Sequence, residues 1–237
     1  PPDNFTCDSF KPETKSALQS AVNLWTSNQT QALATYGEIN TWDVSLITDM
    51  SSLFKDKGSF NSDIGDWDVS NVTSMSNMFE WAGSFNQDIG EWDVSKVTNM
   101  KRMFIYDYSF NQDIGGWDVS NVTAWEGMIE MFRYTNNFNQ DISGWDMSNR
   151  THLSNMLQSA ISFDQDLSDW DVSNVTQFSG VFTNTGFSEE NKCAIHASFS
   201  SNGNWIYDWC DQDCAGNWGG PDGNGTTDDD LVYDDCG

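Results

Sequence analysis

Apolar and polar residues follow one another along this chain in a unit that repeats. Within residues 83–104, GSFNQDIGEWDVSKVTNMKRMF, the apolar positions have the spacing of a leucine-rich coil: Ile89, Trp92, Val94 and Val97. Trp92 and Val94 alternate with Asp93 and Ser95, as on a strand with one buried face. We therefore predict a short strand here, with Trp and Val inward and Asp and Ser outward.

A short helical turn is predicted after this strand. Thr98 is placed to cap it, and Met100, Met103 and Phe104 recur at the i, i+3, i+4 spacing of one helical face. The segment SFNQD then turns the chain with residues typical of Asx turns. Each unit is thus predicted to run strand, helical turn, loop.

The unit occurs six times at a nearly constant period. The tryptophan of the W-D-V-S segment recurs every 25 residues, with one interval of 28, at Trp42, Trp67, Trp92, Trp117, Trp145 and Trp170. One copy alone cannot bury its apolar face, whereas stacked copies share a continuous core. The period predicts an α/β solenoid: a leucine-rich-repeat-like right-handed coil, with a short parallel sheet on one side and short helical turns on the other.

Both flanks of the array have amphipathic patterns that predict helical caps. One face of a helix in KPETKSALQSAVNLW collects Ala17, Leu18, Ala21, Val22 and Trp25, and Ser188 precedes a second helix in SEENKCAIHASF. Solenoids need such caps at their open ends. The predicted organisation is an N-terminal helical cap (1–41), a six-copy solenoid (42–187), a C-terminal helical cap (188–210) and a Cys/Gly/Asp-rich tail or linker to a further module (211–237).

Composition narrows the range of partners. The 36 acidic and 10 basic side chains give a net charge of −26, which repels nucleic acid and anionic membranes alike. The 12 Trp and 15 Phe are far too many for a disordered acidic chain. No apolar run approaches the ~18 residues of a membrane span, so we expect no membrane insertion.

Sequons and cysteines favour an extracellular location. The seven N-x-Ser/Thr sequons, some of which follow from the repeated N-V-T, are at Asn4, Asn28, Asn71, Asn121, Asn149, Asn174 and Asn224. The five cysteines flank the repeats, at Cys7, Cys193, Cys210, Cys214 and Cys236, which suits disulfides at the two ends. Since their number is odd, either one thiol is free or its partner lies beyond this stretch. We expect a secreted or cell-surface glycoprotein.

The repeat FNQDIGxWDVSNVTxMxxMF resembles the 25-residue repeat of the BspA-like surface proteins, a leucine-rich-repeat-like family of secreted and cell-surface adhesins. The resemblance covers residues 36–187, and both flanks are similar to that family's caps. It implies an extracellular binding or structural module and no known enzyme. Copy five departs from the pattern at Met147, and copy four carries extra residues around AWEGMIEM. The end of the chain, CAGNWGG…DDCG, is similar to Cys-Gly-rich modules that link extracellular domains.

Two series of aspartates are candidate ligand surfaces. The first follows the tryptophans, at Asp43, Asp68, Asp93, Asp118, Asp146 and Asp171, and the second lies in the turns, at Asp63, Asp88, Asp113, Asp141 and Asp166. The first series is satisfied either by the following serines and backbone amides or by bridging Ca²⁺. The second series suits Asx turns.

The tail contains a more specific candidate for Ca²⁺, the one cofactor that the sequence suggests. In PDGNGTTDDDLVYDD the candidate ligands are Asp222, Asn224, Asp228 and Asp230. The segment fails the EF-hand pattern, because Thr227 stands where glycine is needed and no Glu closes the loop. The alternative is a solvated acidic linker.

Aromatic residues on consecutive copies form a further candidate site. Trp81, Tyr106 and Tyr134 stand two residues after the inward Phe of copies two to four, with Tyr108 and the inserted Trp125 near by. The other copies lack an aromatic residue there, so the repeat itself does not require one. Such rings are suited to binding a sugar or docking a protein chain; packing on the helical side is the alternative.

Catalytic motifs are absent from the sequence. The only histidines are His152 and His196, and no GxSxG, Cys-His or HExxH arrangement occurs. The sequence therefore favours a non-enzymatic structural or adhesive subunit that contacts other extracellular proteins or copies of itself. The alternative function is a carbohydrate-recognition module that uses the aromatic residues; a cell-surface enzyme is a remote alternative.

Overall fold

The computed structural model describes residues 9–209, and within them the helices lie on the two flanks of the repeat array. Helix α1 spans Lys15–Ser27, α2 spans Gln29–Tyr36, a 3-10 turn spans Ile39–Thr41, and α3 spans Glu189–Phe199. Between the 3-10 turn and α3 the six copies run through turns. The helices therefore lie in the segments where caps were predicted.

Helix α1 closes the first copy. Thr14 caps it by accepting from the backbone N–H of Ala17 at 3.2 Å. Its buried face consists of Leu18, Ala21, Val22 and Trp25, which confirms the predicted face except for the exposed Ala17. Gln19 donates to the carbonyl of Leu53 at 2.9 Å, and so satisfies a backbone group of copy one that has no earlier copy to meet.

The last copy is closed by α3 and the aromatic segment that follows it. Ser188 caps α3 by accepting from the N–H of Asn191 at 3.3 Å, and Ile195 and Phe199 of α3 are buried. Asn202 then donates to the carbonyl of Val172 at 2.7 Å. Beside it, the Tyr207 hydroxyl accepts from the N–H of Phe182 at 2.9 Å.

The six copies stack directly on one another around a continuous apolar core. Phe54, Phe79, Phe104 and Phe132 form a column in which successive ring centroids are 5.4, 5.5 and 5.6 Å apart. A second column runs beside it and consists of Phe60, Phe85, Phe110, Phe138 and Phe163. Its successive ring centroids are 5.7–6.2 Å apart. Each copy therefore advances the stack by about 5–6 Å, as expected when neighbouring backbones are hydrogen-bonded.

The predicted α/β solenoid with a parallel sheet is wrong. No strand occurs within residues 9–209, where the only β-type pairings are three isolated parallel bridges: Asp49–Ser74, Ser74–Asn99 and His152–Gln177. The W-D-V-S segments, expected to be the strands, have no regular secondary structure at W-D-V and enter a turn at the serine.

A local hydrogen bond explains why W-D-V-S does not form a strand. In copy three the carboxylate of Asp93 accepts from the backbone N–H of Ser95 at 3.0 Å, and the N–H of Val97 bonds the carbonyl of Val94 at 2.8 Å. Asp thus offers the backbone a partner within its own copy, in competition with a sheet ladder. Trp92 and Val94 are nevertheless buried, as predicted.

The predicted helical turns are also wrong, although their inward residues are correct. Met100, Met103 and Phe104 are fully buried. Their backbone alternates between two kinds of bond: the N–H of Met100 donates to Gly127 of the next copy at 2.8 Å, whereas that of Met103 donates back to Met100 at 3.1 Å. Arg102 has φ 57°, which no right-handed helix accommodates.

Copy five is modified where its sequence departs from the repeat. Arg150 replaces the valine of N-V-T and is buried, with 3 % of its surface exposed. Its guanidinium donates to the carbonyls of Val119 and Ser120 in copy four at 2.8 and 2.9 Å. The arginine thereby links two copies.

No helix among residues 9–209 has the length and apolar character needed to cross a bilayer.

Candidate binding site

Two positions in every copy have positive φ, and the candidate aromatic residues occupy the second of them. Trp81, Tyr106 and Tyr134 have φ of 59°, 60° and 59°. The left-handed region costs an L-residue about 1–2 kcal/mol. The other copies place Asp56, Ser159 and Asn184 at this position. Large rings are therefore held in a backbone conformation for which small polar residues are better suited.

These three rings stack on one another across three copies; we call Trp81, Tyr106 and Tyr134 the aromatic stack. The centroids of Trp81 and Tyr106 are 3.9 Å apart at 14°, and those of Tyr106 and Tyr134 are 4.8 Å apart at 8°. The structure thus brings together three of the four predicted binding residues. Because the inner ring faces cover each other, the edges and the outer face of Trp81 remain for a ligand.

Tyr108 adds a ring at right angles to the aromatic stack. Its ring is 6.4 Å from those of Trp81 and Tyr106, at 78° and 66°. Trp81 is 43 % exposed and Tyr108 41 %. Tyr108 stands where copies one, two and six have glycine, and its ring covers Gly83, whose added Cβ would lie 3.3 Å from it.

An ion-pair cluster borders the aromatic stack at Tyr134. The guanidinium of Arg133 lies 5.1 Å from the Tyr134 ring centroid, within the range of a cation–π contact. Arg133 and Arg102 both contact the buried carboxylate of Glu130 at 2.5 Å. This cluster holds Arg133 against the ring, and it was not recognised from the sequence; aligning the residues around each inward Phe would have indicated it.

A buried carboxyl group lies next to the stack in the chain. Asp107, between Tyr106 and Tyr108, is fully buried, and burial raises its pKa to about 9. One carboxyl oxygen accepts from the N–H of Ser109 at 3.4 Å, and the other, Oδ2, has no hydrogen-bond partner. Asp107 is therefore uncharged at neutral pH. Asp107 was not among the residues predicted from the sequence.

Trp125, the fourth predicted binding residue, lies outside the stack. Its ring contacts His152 at 4.4 Å, and 65 % of its surface is exposed. Burial lowers the pKa of His152, opposed by the nearby carboxylate of Glu126. Trp125 belongs to the three-residue insertion of copy four, nine residues before Tyr134 in the chain.

Both aspartate series form local hydrogen bonds. Each carboxylate of the first series accepts from the N–H of the serine two residues later at 3.0–3.1 Å, which confirms the hydrogen-bonded alternative. Each carboxylate of the second series accepts from the backbone N–H of the residue two positions later in the chain, at 2.9–3.0 Å. This bond forms an Asx turn, as predicted. Asp43 also pairs with Lys11, whose hydrogen bond lowers the Asp43 pKa to about 2.

Metal ligands are not assembled in the described part of the chain: residues 9–209 contain no group of three His, Cys, Asp or Glu arranged around a cation. The predicted Ca²⁺ ligands Asp222, Asn224, Asp228 and Asp230 lie outside the described residues. So do four of the five cysteines, Cys7, Cys210, Cys214 and Cys236. Cys193 lies in α3 and is partly exposed.

The sequon side chains at Asn28, Asn71, Asn121, Asn149 and Asn174 are exposed, while Asn4 and Asn224 lie outside the described residues. The repeated N-V-T also has a structural role. The Asn71 side chain donates to the carbonyl of Ser45 at 3.1 Å, and the Thr73 hydroxyl donates to that of Thr48 at 3.0 Å. The motif therefore joins neighbouring copies.

A polar cleft of about 640 Å³ lies between copy six and the loop after α3. Asp169, Asp171 and Ser173 line one side, and Ser201 and Asn204 the other. None of its lining residues belongs to the aromatic stack.

The family described as "Mycoplasma protein of unknown function, DUF285" matches residues 20–130 and 126–195. These stretches include part of α1, all six copies and part of α3. No curated protein and no solved structure shows significant similarity to the chain. The description of the family names no activity, substrate or partner.

Proposed function

We propose that this chain, which belongs to the DUF285 family, is an extracellular structural or adhesive subunit that acts through protein–protein contacts. The observation that carries this proposal is the aromatic stack with Tyr108, on a side of a repeat array that is covered at both ends. Such rings give contact area at little entropic cost, and a rigid array presents them in a fixed arrangement. A stacked array suits broad contacts better than a closed active site.

The extracellular part of the proposal rests on the sequons and on the resemblance of the repeat to BspA-like surface proteins. The sequons at Asn71, Asn121, Asn149 and Asn174 are exposed in copies two, four, five and six. A glycan attached there would project from the W-D-V-S side and leave the aromatic stack accessible.

Catalysis has little support in this arrangement. A carboxyl group with a strongly raised pKa is often a functional group, and Asp107 is the one described candidate. Asp107 is fully buried, however, so no substrate can reach it. His196 is held in a structural contact, since its Nδ1 accepts from the indole of Trp205 at 3.2 Å. We therefore propose a non-catalytic function.

Carbohydrate recognition is the second candidate, and the angle between Trp81 and Tyr108 favours it. Two exposed rings at 78° form a corner against which one sugar ring can pack. The variant Trp81→Asn/Tyr108→Gly should abolish binding on a glycan array if this function holds. Trp125→Asn, which removes an exposed tryptophan elsewhere, is the matched control. An unchanged array profile for the double variant would exclude this candidate.

Native mass spectrometry and electron microscopy of protein purified from its source test the leading proposal. We expect ordered assemblies that contain many copies of the chain or a defined protein partner. Comparison before and after EGTA tests the Ca²⁺ prediction for the tail, because assemblies joined through a calcium site should dissolve. A glycosylated monomer with no partner, indifferent to EGTA, would contradict the proposed function.

A further inference from the structure

The charge of the protein is unevenly distributed over the array. Copies one to four each contain a turn segment at the position of the aromatic stack: residues 49–58, 74–83, 99–108 and 124–136. We call the exposed surface of these four segments the turn face. Together they hold five basic and six acidic side chains. One of the six acids is the buried Asp107. The turn face is therefore close to neutral, although the whole chain has a charge of −26.

Ion pairs within the chain neutralise the turn face. Lys55 pairs with Glu80 at 3.0 Å, Lys101 pairs with Glu126, and Arg102 and Arg133 share Glu130. Each of these pairs joins residues of adjacent copies, except the one between Arg133 and Glu130. The two aspartate series lie in the other segments of each copy, where basic residues are few.

The ends of the array are poor candidates for contacts between copies of the chain. At the start, α1 covers copy one and Gln19 satisfies the carbonyl of Leu53. At the end, Asn202 and Tyr207 satisfy backbone groups of copy six. Because the described ends present a helix and satisfied groups instead of an open ladder, growth by adding one array to the end of another is disfavoured. The other way for two arrays to meet is lateral contact, between their sides.

We propose that two copies of this chain pair laterally through their turn faces, with Trp81 and Tyr108 at the centre of the contact. Two bodies of charge −26 repel each other when their aspartate sides approach, and pairing through the turn face keeps those sides apart. A basic partner would be drawn to the aspartate sides instead, and an acidic one would be repelled by the whole molecule. The partner that fits is one with a neutral aromatic surface, which this chain itself supplies.

The turn face is large enough for a protein–protein contact. A standard interface uses about 20–30 residues a side. The four turn segments contain 24 residues that are at least partly exposed. Because two chains of charge −26 repel each other, we nevertheless expect a dissociation constant in the micromolar range or weaker for the isolated pair. At an extracellular surface, where many copies are held together, such contacts gain strength from multivalency.

Sedimentation velocity of the full 237-residue chain over a wide concentration range tests this pairing. The wild type should show a reversible monomer–dimer equilibrium. Trp81→Asn/Tyr108→Gly should weaken it by about tenfold or more, as expected for residues at the centre of an interface. These substitutions use residue types that other copies carry at the same positions, Asn184 and Gly83, so the fold should tolerate them. Leu46→Lys should leave the equilibrium unchanged, because Leu46 is an exposed apolar residue outside the turn face and copy three has Lys96 at the same position.

Three results would overturn the pairing: a wild type that is monomeric at every concentration, a double variant that pairs as well as the wild type, or a Leu46→Lys chain that loses pairing. Circular dichroism of each variant establishes that it is folded before it is compared. The inference rests on the proposed function, but the two can fail separately. A monomeric wild type together with large assemblies in the source material would overturn only the pairing, whereas source material without any assembly would contradict the function.

Discussion

The indole N–H of Trp117 donates to the carbonyl oxygen of Ile89, one copy earlier in the stack, at 3.1 Å. The indole N–H groups of four other tryptophans make the same bond to an isoleucine carbonyl, at 2.8–3.3 Å: Trp67, Trp92, Trp145 and Trp170. A tryptophan therefore fills the core and also provides a directional bond between copies. This dual role accounts for the tryptophan of copies two to six, where phenylalanine would fill only part of the space. Trp42, in the first copy, donates instead to the nearby carbonyl of Gly37 at 3.4 Å.

Substitution of Trp117 by Phe should destabilise the protein by about 1–3 kcal/mol, since it removes the inter-copy bond and leaves a partly empty site. The carbonyl of Ile89 keeps its bond from the N–H of Trp92, so the cost should stay below that of a wholly unsatisfied buried group. Urea unfolding measures the change. Trp125→Phe, at an exposed site, is the control, and equal losses for the two variants would contradict this role.

The asparagine of F-N-Q-D should tolerate aspartate but not leucine. The side-chain oxygen of Asn86 accepts from the N–H of Asn111 at 2.9 Å and from the side chain of Gln112 at 2.8 Å. Asn86→Asp keeps this acceptor, as Asp164 does beside α3, where it accepts from Ser188 at 2.8 Å. Asn86→Leu removes it and should cost about 1–3 kcal/mol. Thermal unfolding distinguishes them; similar melting temperatures would show that the bond contributes nothing.

Two adjacent glycines should respond differently to alanine. A Cβ on Gly115 would lie 2.5 Å from the carbonyl oxygen of Asp141 in the next copy, whereas one on Gly116 would meet nothing within 4 Å. Gly115→Ala should therefore force neighbouring copies apart, at a cost of about 1–3 kcal/mol. Gly116→Ala should be neutral or slightly stabilising. Chemical unfolding of the two variants is the measurement, and equal effects would mean that the copies are not in this close contact.

Replacing Asp107 by alanine should stabilise the protein, and more so at high pH. The folded pKa is about 9 against an ordinary value of 3.8, so between these pH values the folded state holds a proton that the unfolded state has released. The free energy of unfolding of the wild type therefore has its full value below about pH 4. It falls as the pH rises towards 9, by up to about 1.4 kcal/mol per pH unit. Two of the other copies have alanine at this position, Ala82 and Ala160.

Unfolding of wild type and Asp107→Ala at pH 5 and pH 8 measures this effect. The advantage of the variant should be larger at pH 8, because only the wild type must keep a buried proton there. A difference that does not change with pH would mean that Asp107 is not buried in its uncharged form.

The sequence predicted much of the packing but not the backbone. The period and the inward residues were correct, since Trp92, Val94, Met100 and Phe104 are all buried. A period of two also arises in a turn, however, when a side chain such as Asp93 binds its own backbone. Hydrophobic patterning does not distinguish that bond from a sheet ladder. Nor does it indicate that Arg102 adopts positive φ, which is uncommon for residues other than glycine.

The aromatic stack was predictable because the same position is aromatic in three consecutive copies. Its ring geometry was not, since it depends on the positive φ of all three residues. The place of Trp125 was not either, since it depends on the path of the three-residue insertion. Asp107 and the pair of arginines on Glu130 depend on burial and on contacts between copies, which no single copy reveals. The metal, cysteine and glycan predictions for the tail stay predictions.

Cross-linking mass spectrometry of the assembly from its native source tests the central claim most directly. Lys55, Lys57 and Lys101 belong to the turn face, whereas Lys96 and Lys192 do not. In a mixture of isotopically labelled and unlabelled copies, links between copies should concentrate on the first three lysines. Links between copies that concentrate on Lys96 and Lys192, or a complete absence of such links, would contradict assembly through the turn face.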